Sequence, residues 1–219
     1  MRFLLFTLMI LLNQQCISEK SKHILVIGDS NGANKIGWVV QLSNIRPDDI
    51  IYNCSIGGNT IGFNNLGKDT LNTLKNINQY LKNAEDSLNN IDIILVMLGT
   101  NDCKAVFDSL QSEVSSNLEK LVQMIKKFPY ASQNRPQIVL ITPPPIGPDS
   151  MLLPKYYGGL NRLEKLLPNY QRISEKYDCG YIDIFHPLFN NFDSLTVDGI
   201  HLNETGYKKA AEIIDKALK

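Results

Sequence analysis

Three polar side chains of the kinds used in nucleophilic catalysis lie far apart in the sequence. Ser30 follows an apolar segment near the amino terminus, whereas Asp198 and His201 share a short polar segment near the carboxyl terminus. A serine hydroxyl becomes an effective nucleophile when a neighbouring histidine removes its proton, and an aspartate can hold that imidazole in the required tautomer. Because Asp198 and His201 are three positions apart, one loop can bring them into contact. These residue types and this spacing predict a nucleophile, a base and an orienting carboxylate.

Attack by such a nucleophile on an acyl group creates a negatively charged oxygen, which hydrogen-bond donors must stabilise. The backbone N–H groups of Ser30 and Gly58 and the side-chain amide of Asn101 could supply three donors. Glycine lets the backbone approach a substrate closely because it has no Cβ. We therefore expect an oxyanion hole made by Ser30, Gly58 and Asn101, with Gly57 as an alternative to Gly58.

The elements that must position these residues are short apolar segments that alternate with stretches of helical periodicity. The predicted strands are 23–28, 50–53, 91–98, 137–142 and 180–183. The predicted helices carry apolar stripes over 71–81, 110–125, 160–170 and 207–218. Strands that are apolar throughout and alternate with helices indicate a parallel sheet covered on both faces. Sites in such sheets lie beyond the carboxyl ends of the strands, and the polar clusters follow the predicted strands at those ends.

Two residues are expected to affect where the predicted helices bend, break or begin. Pro168 is expected to kink or break the third helix, because proline lacks the backbone donor and clashes with the preceding turn. Asn203 is expected to cap the last helix through its side-chain oxygen.

Composition limits the classes of protein that fit. The 219 residues suffice for one domain with a buried core, and 43% hydrophobic and 20% charged residues are ordinary values for a globular protein. Lys+Arg and Asp+Glu both number 22, so the formal net charge is zero. A nucleic-acid partner is therefore not expected, since such proteins carry a basic excess. The balance also disfavours strong attraction to anionic membranes.

The amino terminus has the pattern of an export signal. Arg2 precedes an apolar run over 3–12 that is too short to span a membrane. We expect residues 1–20 to be a signal peptide or a lipoprotein signal, with possible membrane attachment through a lipidated Cys16, although Gln15 is bulky for that motif. An uncleaved anchor is the alternative. The protein is then expected to be exported in a bacterium, as a periplasmic or an outer-membrane or cell-surface lipoprotein, with its single domain over 22–219.

The four cysteines give little information about function. They are Cys16, Cys54, Cys103 and Cys179, and none forms a CxxC pair. A metal site is therefore not expected. Export would permit disulfides, but the spacing predicts no pairing, and we expect small buried residues.

Four segments together resemble the four sequence blocks of the SGNH, or GDSL-type, hydrolases, in the order of that family. They are Gly28-Asp29-Ser30, Gly58-Asn59-Thr60, Gly99-Thr100-Asn101-Asp102 and Asp198-Gly199-Ile200-His201. The resemblance covers essentially the whole chain after residue 22. Within the family, Met97 to Asp102 and the proline run over 142–146 most resemble bacterial arylesterase and acyltransferase types.

This resemblance implies an α/β fold, namely a three-layer α/β/α flavodoxin-like sandwich with a parallel sheet of about five strands. It assigns Ser30 as nucleophile, His201 as base and Asp198 as its orienting residue. It favours Gly58 over Gly57, so that Ser30, Gly58 and Asn101 form the oxyanion hole. It implies no metal and no cofactor.

Asn31 departs from the family pattern, and several other residues are expected to have supporting roles. Asn31 stands where an apolar residue commonly follows the serine, which leads us to expect an effect on acyl specificity. Asp102 is expected to anchor its loop by hydrogen bonds, and His186 to be a loop residue. A segment over 146–159 is expected to form a loop beside the acyl or alcohol pocket. The residues predicted to border that pocket are Met151, Leu152, Leu153, Tyr156 and Tyr157.

The function implied by the resemblance is hydrolysis of carboxylic esters through an acyl-enzyme. The expected substrates are small acyl or aryl esters or acetylated glycans. The alternatives are a lysophospholipase or thioesterase-type lipid hydrolase, an acyltransferase, and a non-enzymatic carbohydrate-binding surface protein on the same scaffold.

Overall fold

The computed structural model describes residues 21–219. The export signal predicted for 1–20, and Cys16 with it, lies outside the described residues. Five strands form one parallel sheet in the order β2-β1-β3-β4-β5. The strands are β1 (His23–Gly28), β2 (Ile50–Asn53), β3 (Ile93–Met97), β4 (Gln137–Ile141) and β5 (Gly180–Ile182). The predicted fold class and all five predicted strands are therefore confirmed.

Eight α-helices connect and cover these strands in the described part of the chain. They are α1 (Ser30–Ala33), α2 (Trp38–Ile45), α3 (Thr73–Leu88), α4 (Gln111–Lys127), α5 (Gly159–Lys176), α6 (Phe185–Phe189), α7 (Phe192–Leu195) and α8 (Glu204–Ala217). Asn203 caps α8 as predicted, because its side-chain oxygen accepts from the Gly206 N–H at 3.0 Å. In this part of the chain, none of the helices has both the length and the apolar character that crossing a membrane requires.

Alternation along the strands divides the core into two layers. Leu25 and Ile27 of β1 face a cluster that includes the apolar stripes of α3, α4 and α5. Ile24 and Val26 face the opposite cluster, which includes residues of α2 and α8. Because successive side chains of a strand point to opposite faces, a strand covered on both faces must be apolar at every position. This explains the uninterrupted apolar runs. The sheet with helices on both of its faces makes up the three layers of the predicted α/β/α sandwich.

Helix α5 continues through Pro168, so of the predicted kink or break the break is wrong and the kink stays a prediction. Proline in a helix interior removes the hydrogen bond to the carbonyl four residues earlier, here that of Glu164. Both Pro168 and Glu164 are exposed to solvent. Water can therefore take the place of the missing donor, while the buried side of α5 stays packed, with Tyr170 in the cluster beside the sheet and Leu163 in a separate small cluster.

His186 belongs to the short helix α6, so the loop predicted for it is also wrong. Asp183 accepts a hydrogen bond from the His186 backbone N–H at 3.2 Å and contacts the ring Nδ1 at 2.6 Å. Pro187 lies in the first turn, where a missing backbone donor costs nothing. The structural reason for the error is that the Asp183 carboxylate, which accepts from the His186 backbone N–H, favours a helical turn even in a short connection.

Candidate active site

Ser30 is presented at the carboxyl end of β1 by a tight strand-to-helix turn. The Asp29 side chain accepts a hydrogen bond from the Asn31 N–H at 3.0 Å, which starts helix α1 at Ser30. The turn is closely packed, since a Cβ on Gly28 would approach Ser55 Oγ to 2.6 Å. The position of the Ser30 hydroxyl is thus determined by a central strand, a cap and a glycine contact.

The structure brings together the three residues predicted to act as nucleophile, base and orienting carboxylate. His201 Nε2 lies 2.9 Å from Ser30 Oγ, and His201 Nδ1 lies 2.8 Å from Asp198 Oδ2. The side chains of His201 and Asp198 are 34% and 50% exposed. The three residues therefore form one hydrogen-bonded chain that solvent and a substrate can reach.

Asp198 is held in place by its own loop. Its Oδ1 accepts hydrogen bonds from the backbone N–H groups of Ile200 at 3.0 Å and His201 at 2.8 Å. Partial burial acts to raise the pKa of Asp198, but hydrogen bonds from the His201 backbone and ring and from Ile200 outweigh it, so that the pKa lies below its ordinary value. Asp198 is therefore a carboxylate at neutral pH, oriented towards the imidazole.

Asn31, the residue after Ser30, contacts the loop that carries His201, and its expected effect on acyl specificity stays a prediction. Its side chain is completely buried. Its Nδ2 donates to the Ile200 carbonyl at 3.3 Å, and its Oδ1 accepts from the Leu202 N–H at 3.2 Å. The residue after Ser30 thus holds the two residues that flank His201. This contact could not be predicted from the residue pattern, because Ile200 and Leu202 lie 169 and 171 positions after Asn31.

Gly58 lies in the loop after β2 with its backbone in the left-handed region, at φ +85°. Its carbonyl accepts from the Asn65 side chain at 2.6 Å, and the next N–H, that of Asn59, donates to the Ile56 carbonyl at 3.0 Å. Among residues 21–219, the N–H groups of Gly58 and Ser30 donate no hydrogen bond. These two donors are free to bind a substrate atom.

Asn101 follows β3 and is almost completely buried. Its Nδ2 donates to the Asn59 carbonyl at 3.0 Å, and its Oδ1 accepts from the Tyr156 hydroxyl at 3.0 Å. An amide nitrogen carries two hydrogens, so one of them remains for another acceptor. The amide orientation is determined at both ends, because a flipped amide would turn its oxygen towards the Asn59 carbonyl.

Asp102 anchors its loop, as predicted. Both of its carboxylate oxygens lie 3.0 Å from the Ile61 N–H, which connects the loop after β3 to the loop after β2. Burial raises the pKa of Asp102 to about 7, and the nearby charge of Asp29 adds to this increase, although hydrogen bonds from Ile61 and Gly62 oppose it. Its role here is to fix the two loops that carry Gly58 and Asn101.

The segment over 146–159 packs beside the loop that carries His201. The Gly147 N–H donates to the Gly199 carbonyl at 2.8 Å. Leu152 and Tyr156 are buried in a small apolar cluster that includes Ile200. The other three residues predicted to border a pocket are more exposed, namely Met151, Leu153 and Tyr157. The segment also contains two short 3-10 turns, Asp149–Met151 and Pro154–Tyr156.

The described cysteines are free thiols. Cys103 is buried, whereas Cys54 and Cys179 are partly buried. Burial raises the pKa of the Cys54 thiol to about 11, which disfavours the reactive thiolate. Over residues 21–219 there is no group of three or more histidine, cysteine or acidic side chains that could hold a metal ion.

The chain is similar to proteins of one known family. A sequence profile of the GDSL-like Lipase/Acylhydrolase family matches residues 26–209. The acetylxylan esterase of Xylanibacter ruminicola is 32% identical over 142 residues, which are 58% of this chain and 28% of that protein. The chain therefore spans little more than a quarter of the length of this curated relative.

Solved structures share the fold. A carbohydrate acetylesterase family member from Sinorhizobium meliloti superimposes with a TM-score of 0.73 at 20% identity, covering 90% of this chain and 97% of that one. The inhibitor-bound aryl esterase of M. smegmatis gives a TM-score of 0.71 at 20% identity, covering 90% and 100%.

The profile match identifies the family, and the solved structures show its fold. The chain belongs to the GDSL-like lipase/acylhydrolase family, as the profile match over most of its length shows.

Proposed function

We propose that this protein hydrolyses carboxylic esters through an acyl-enzyme formed on Ser30, with His201 as base and Asp198 as its orienting residue. The observation that carries the proposal is the hydrogen-bonded chain from Ser30 Oγ to His201 at 2.9 Å and from His201 to Asp198 at 2.8 Å. This is the arrangement that an activated serine requires.

The reaction begins when Ser30 Oγ attacks the carbonyl carbon and its proton passes to His201 Nε2. Asp198 stabilises the resulting imidazolium through Nδ1–H. The negative charge on the carbonyl oxygen is stabilised by the N–H groups of Ser30 and Gly58 and by the Asn101 amide. His201 then protonates the leaving alcohol. Water enters along the same path, gives a proton to His201 and releases the acid, which regenerates Ser30.

The exposure of the proposed triad favours hydrolysis over acyl transfer to another alcohol. Acyl transfer requires that water be kept away from the acyl-enzyme. The His201 and Asp198 side chains are 34% and 50% exposed, so water can reach the base. We therefore propose water as the acceptor of the acyl group.

The proposed substrates are small acyl esters, including acetyl esters of glycans and simple aryl esters. What supports this choice is the set of names among the similar proteins, which include an acetylxylan esterase, a carbohydrate acetylesterase and an aryl esterase. A substrate panel should contain p-nitrophenyl acetate, acetylated xylan and a lysophospholipid. Turnover of the lysophospholipid alone would contradict this substrate class.

The decisive test compares the purified protein with Ser30→Ala on p-nitrophenyl acetate. Loss of the nucleophile is expected to reduce kcat by about 10⁴-fold or more. Ser112→Ala is the matched control, because Ser112 is an exposed serine on α4 and lies outside the proposed machinery. Equal rates for Ser30→Ala and the unaltered protein would refute the proposed mechanism.

We also propose export, on the basis of the apolar run over 3–12 that follows Arg2. Expression of the full chain in a bacterium, followed by mass analysis of the mature protein, tests this. Cleavage without a lipid would contradict attachment through Cys16, and an uncleaved cytoplasmic product would contradict export.

A further inference from the structure

Lys104 is a buried lysine that the proposed reaction does not use. Its residue surface is only 7% exposed, and its Nζ donates to Asn65 Oδ1 at 3.1 Å. Among the described residues, no carboxylate lies within ion-pair distance of it. Burial, together with repulsion from Lys155, lowers the pKa of Lys104 although Asp102 and Asp29 oppose this effect. A buried ammonium without an ion-pair partner costs stability, so the presence of a lysine at this position needs an explanation other than stability.

The Asn65 side chain connects Lys104 to the loop that carries Gly58. Asn65 is 1% exposed, accepts from Lys104 and donates to the Gly58 carbonyl at 2.6 Å. A glycine has more backbone freedom than other residues, so an N–H at a glycine points in one direction only when its neighbouring peptides are held. The hydrogen bonds from Lys104 to Asn65 and from Asn65 to Gly58 hold one of these peptides.

The Tyr156 side chain holds the Asn101 amide, the second of the two donors, through a hydrogen bond. Its hydroxyl donates to Asn101 Oδ1 at 3.0 Å, so the amide nitrogen has one hydrogen on the Asn59 carbonyl and one left for another acceptor. Its ring centroid lies 5.5 Å from Lys104 Nζ, within the range of a cation–π contact. The residues that hold the two loops therefore also contact each other.

We propose that Lys104 and Tyr156 are positioning residues of the oxyanion hole, Lys104 through Asn65 and Gly58 and Tyr156 through Asn101. This inference rests on the proposed function and extends it to side chains that do not touch the substrate. Donors held in advance stabilise charge that develops only in the transition state. Their loss therefore lowers kcat and leaves KM nearly unchanged.

The test uses Lys104→Met and Tyr156→Phe, which keep most of the side-chain volume and remove the donor. In each case kcat on p-nitrophenyl acetate is expected to fall about 10- to 100-fold, less than the 10²–10³-fold loss for removing a donor outright. KM is expected to change by less than about threefold. The rate of covalent labelling of Ser30 by a phosphonate ester should fall in parallel with kcat, because that reaction forms a similar charged centre.

Matched controls separate positioning from general destabilisation. Lys155→Met removes an exposed lysine whose Nζ lies at the same 5.5 Å from the Tyr156 ring but does not donate to Asn65. Tyr130→Phe removes a hydroxyl that donates to the Ile125 carbonyl at 3.1 Å, outside the site. Both are expected to keep the kcat of the unaltered protein. Lys104→Arg, which can still donate to Asn65, is expected to recover part of the activity lost in Lys104→Met.

The possible failures are distinguishable. If Ser30→Ala is inactive and Asn101→Ala loses kcat about 10²–10³-fold while Lys104→Met and Tyr156→Phe keep full kcat, the inference is wrong and the proposed function stands. An increase of KM at unchanged kcat would also overturn it, because that result indicates substrate binding. If Lys104→Met does not fold, Asn65→Ala removes the same link between Lys104 and Gly58. An unchanged kcat in Asn65→Ala would also contradict the inference. Activity in Ser30→Ala would instead overturn the proposed function itself.

Discussion

Asn31 Oδ1 accepts a hydrogen bond from the Leu202 N–H at 3.2 Å, which joins the residue after Ser30 to the residue after His201. The same side chain donates to the Ile200 carbonyl at 3.3 Å. The two contacts lie on either side of His201, so they determine where the imidazole stands relative to Ser30.

Replacing Asn31 by leucine removes both hydrogen bonds and keeps a similar volume. We expect kcat to fall about 10- to 100-fold at nearly constant KM, because a small displacement of a base has effects of that size. Steady-state kinetics measures kcat and KM, and urea unfolding measures the free energy of unfolding. Ile125→Val serves as a control for stability, since Ile125 is buried in α4 and is not part of the site. A leucine variant with unaltered kcat would contradict this account of Asn31.

Replacing Asp198 by asparagine keeps the shape of the side chain and removes its charge. We expect kcat to fall about 10³- to 10⁴-fold, because the amide favours the wrong imidazole tautomer and does not stabilise the imidazolium. Asp183→Asn is the matched control, as Asp183 pairs with His186 at 2.6 Å in the same three-residue spacing. Comparable losses in both variants would argue against a specific role for Asp198.

The lowered pKa of Asp198 also predicts part of the pH dependence. A carboxyl whose folded-state pKa is below its ordinary value of 3.8 stabilises the protein at pH values above 3.8, and this contribution is lost as the pH falls through the lowered pKa. Protonation of Asp198 therefore does not limit the activity above about pH 5. An NMR titration of its carboxyl carbon would measure this, and a midpoint above 3.8 would be contrary to the expectation.

Replacing Gly58 by alanine affects both the backbone and the site. At φ +85° an alanine is strained by about 1–2 kcal/mol, and its Cβ would meet Asn65 Nδ2 at 3.3 Å. We expect lower stability together with a lower kcat. Gly67→Ala is the matched control, because Gly67 has φ +70° and an added Cβ would have no neighbour within 4 Å. The control should lose similar stability and keep its kcat, whereas equal kcat losses would contradict a role for Gly58.

Asp102 is expected to make stability depend on pH. Burial raises its pKa from 3.8 to about 7, so the stability it contributes is complete below 3.8 and is lost as the pH rises through about 7. Asp102→Asn cannot ionise, and its amide oxygen can still accept from Ile61. Urea unfolding at about pH 5 and about pH 8 should show a larger loss at high pH in the unaltered protein than in the variant. Equal losses would be inconsistent with a raised pKa. Burial also raises the pKa of Asp29, and because the charges of Asp29 and Asp102 interact, the comparison reports the effect of removing Asp102 from that pair.

The sequence was sufficient to predict the sheet and the meeting of Ser30, Asp198 and His201, because apolar periodicity locates strands and parallel strands end at one edge. It was not sufficient for Asn31, Lys104 and Tyr156. Each acts through a contact between residues distant in the chain, and a residue type alone does not identify its partner. The error at Pro168 has a similar origin, since whether a helix tolerates proline depends on which carbonyl is exposed.

If the proposed esterase activity is to be redirected to other substrates, the contact between Tyr156 and Asn101 determines which loop positions should be changed. The loop residues divide into the exposed Met151, Leu153 and Tyr157 and the buried Leu152 and Tyr156. A library that randomises the exposed positions can alter what the loop recognises while the catalytic machinery keeps its alignment. A library that includes Tyr156 would mix altered selectivity with impaired turnover, and many of its members would be discarded for the second reason.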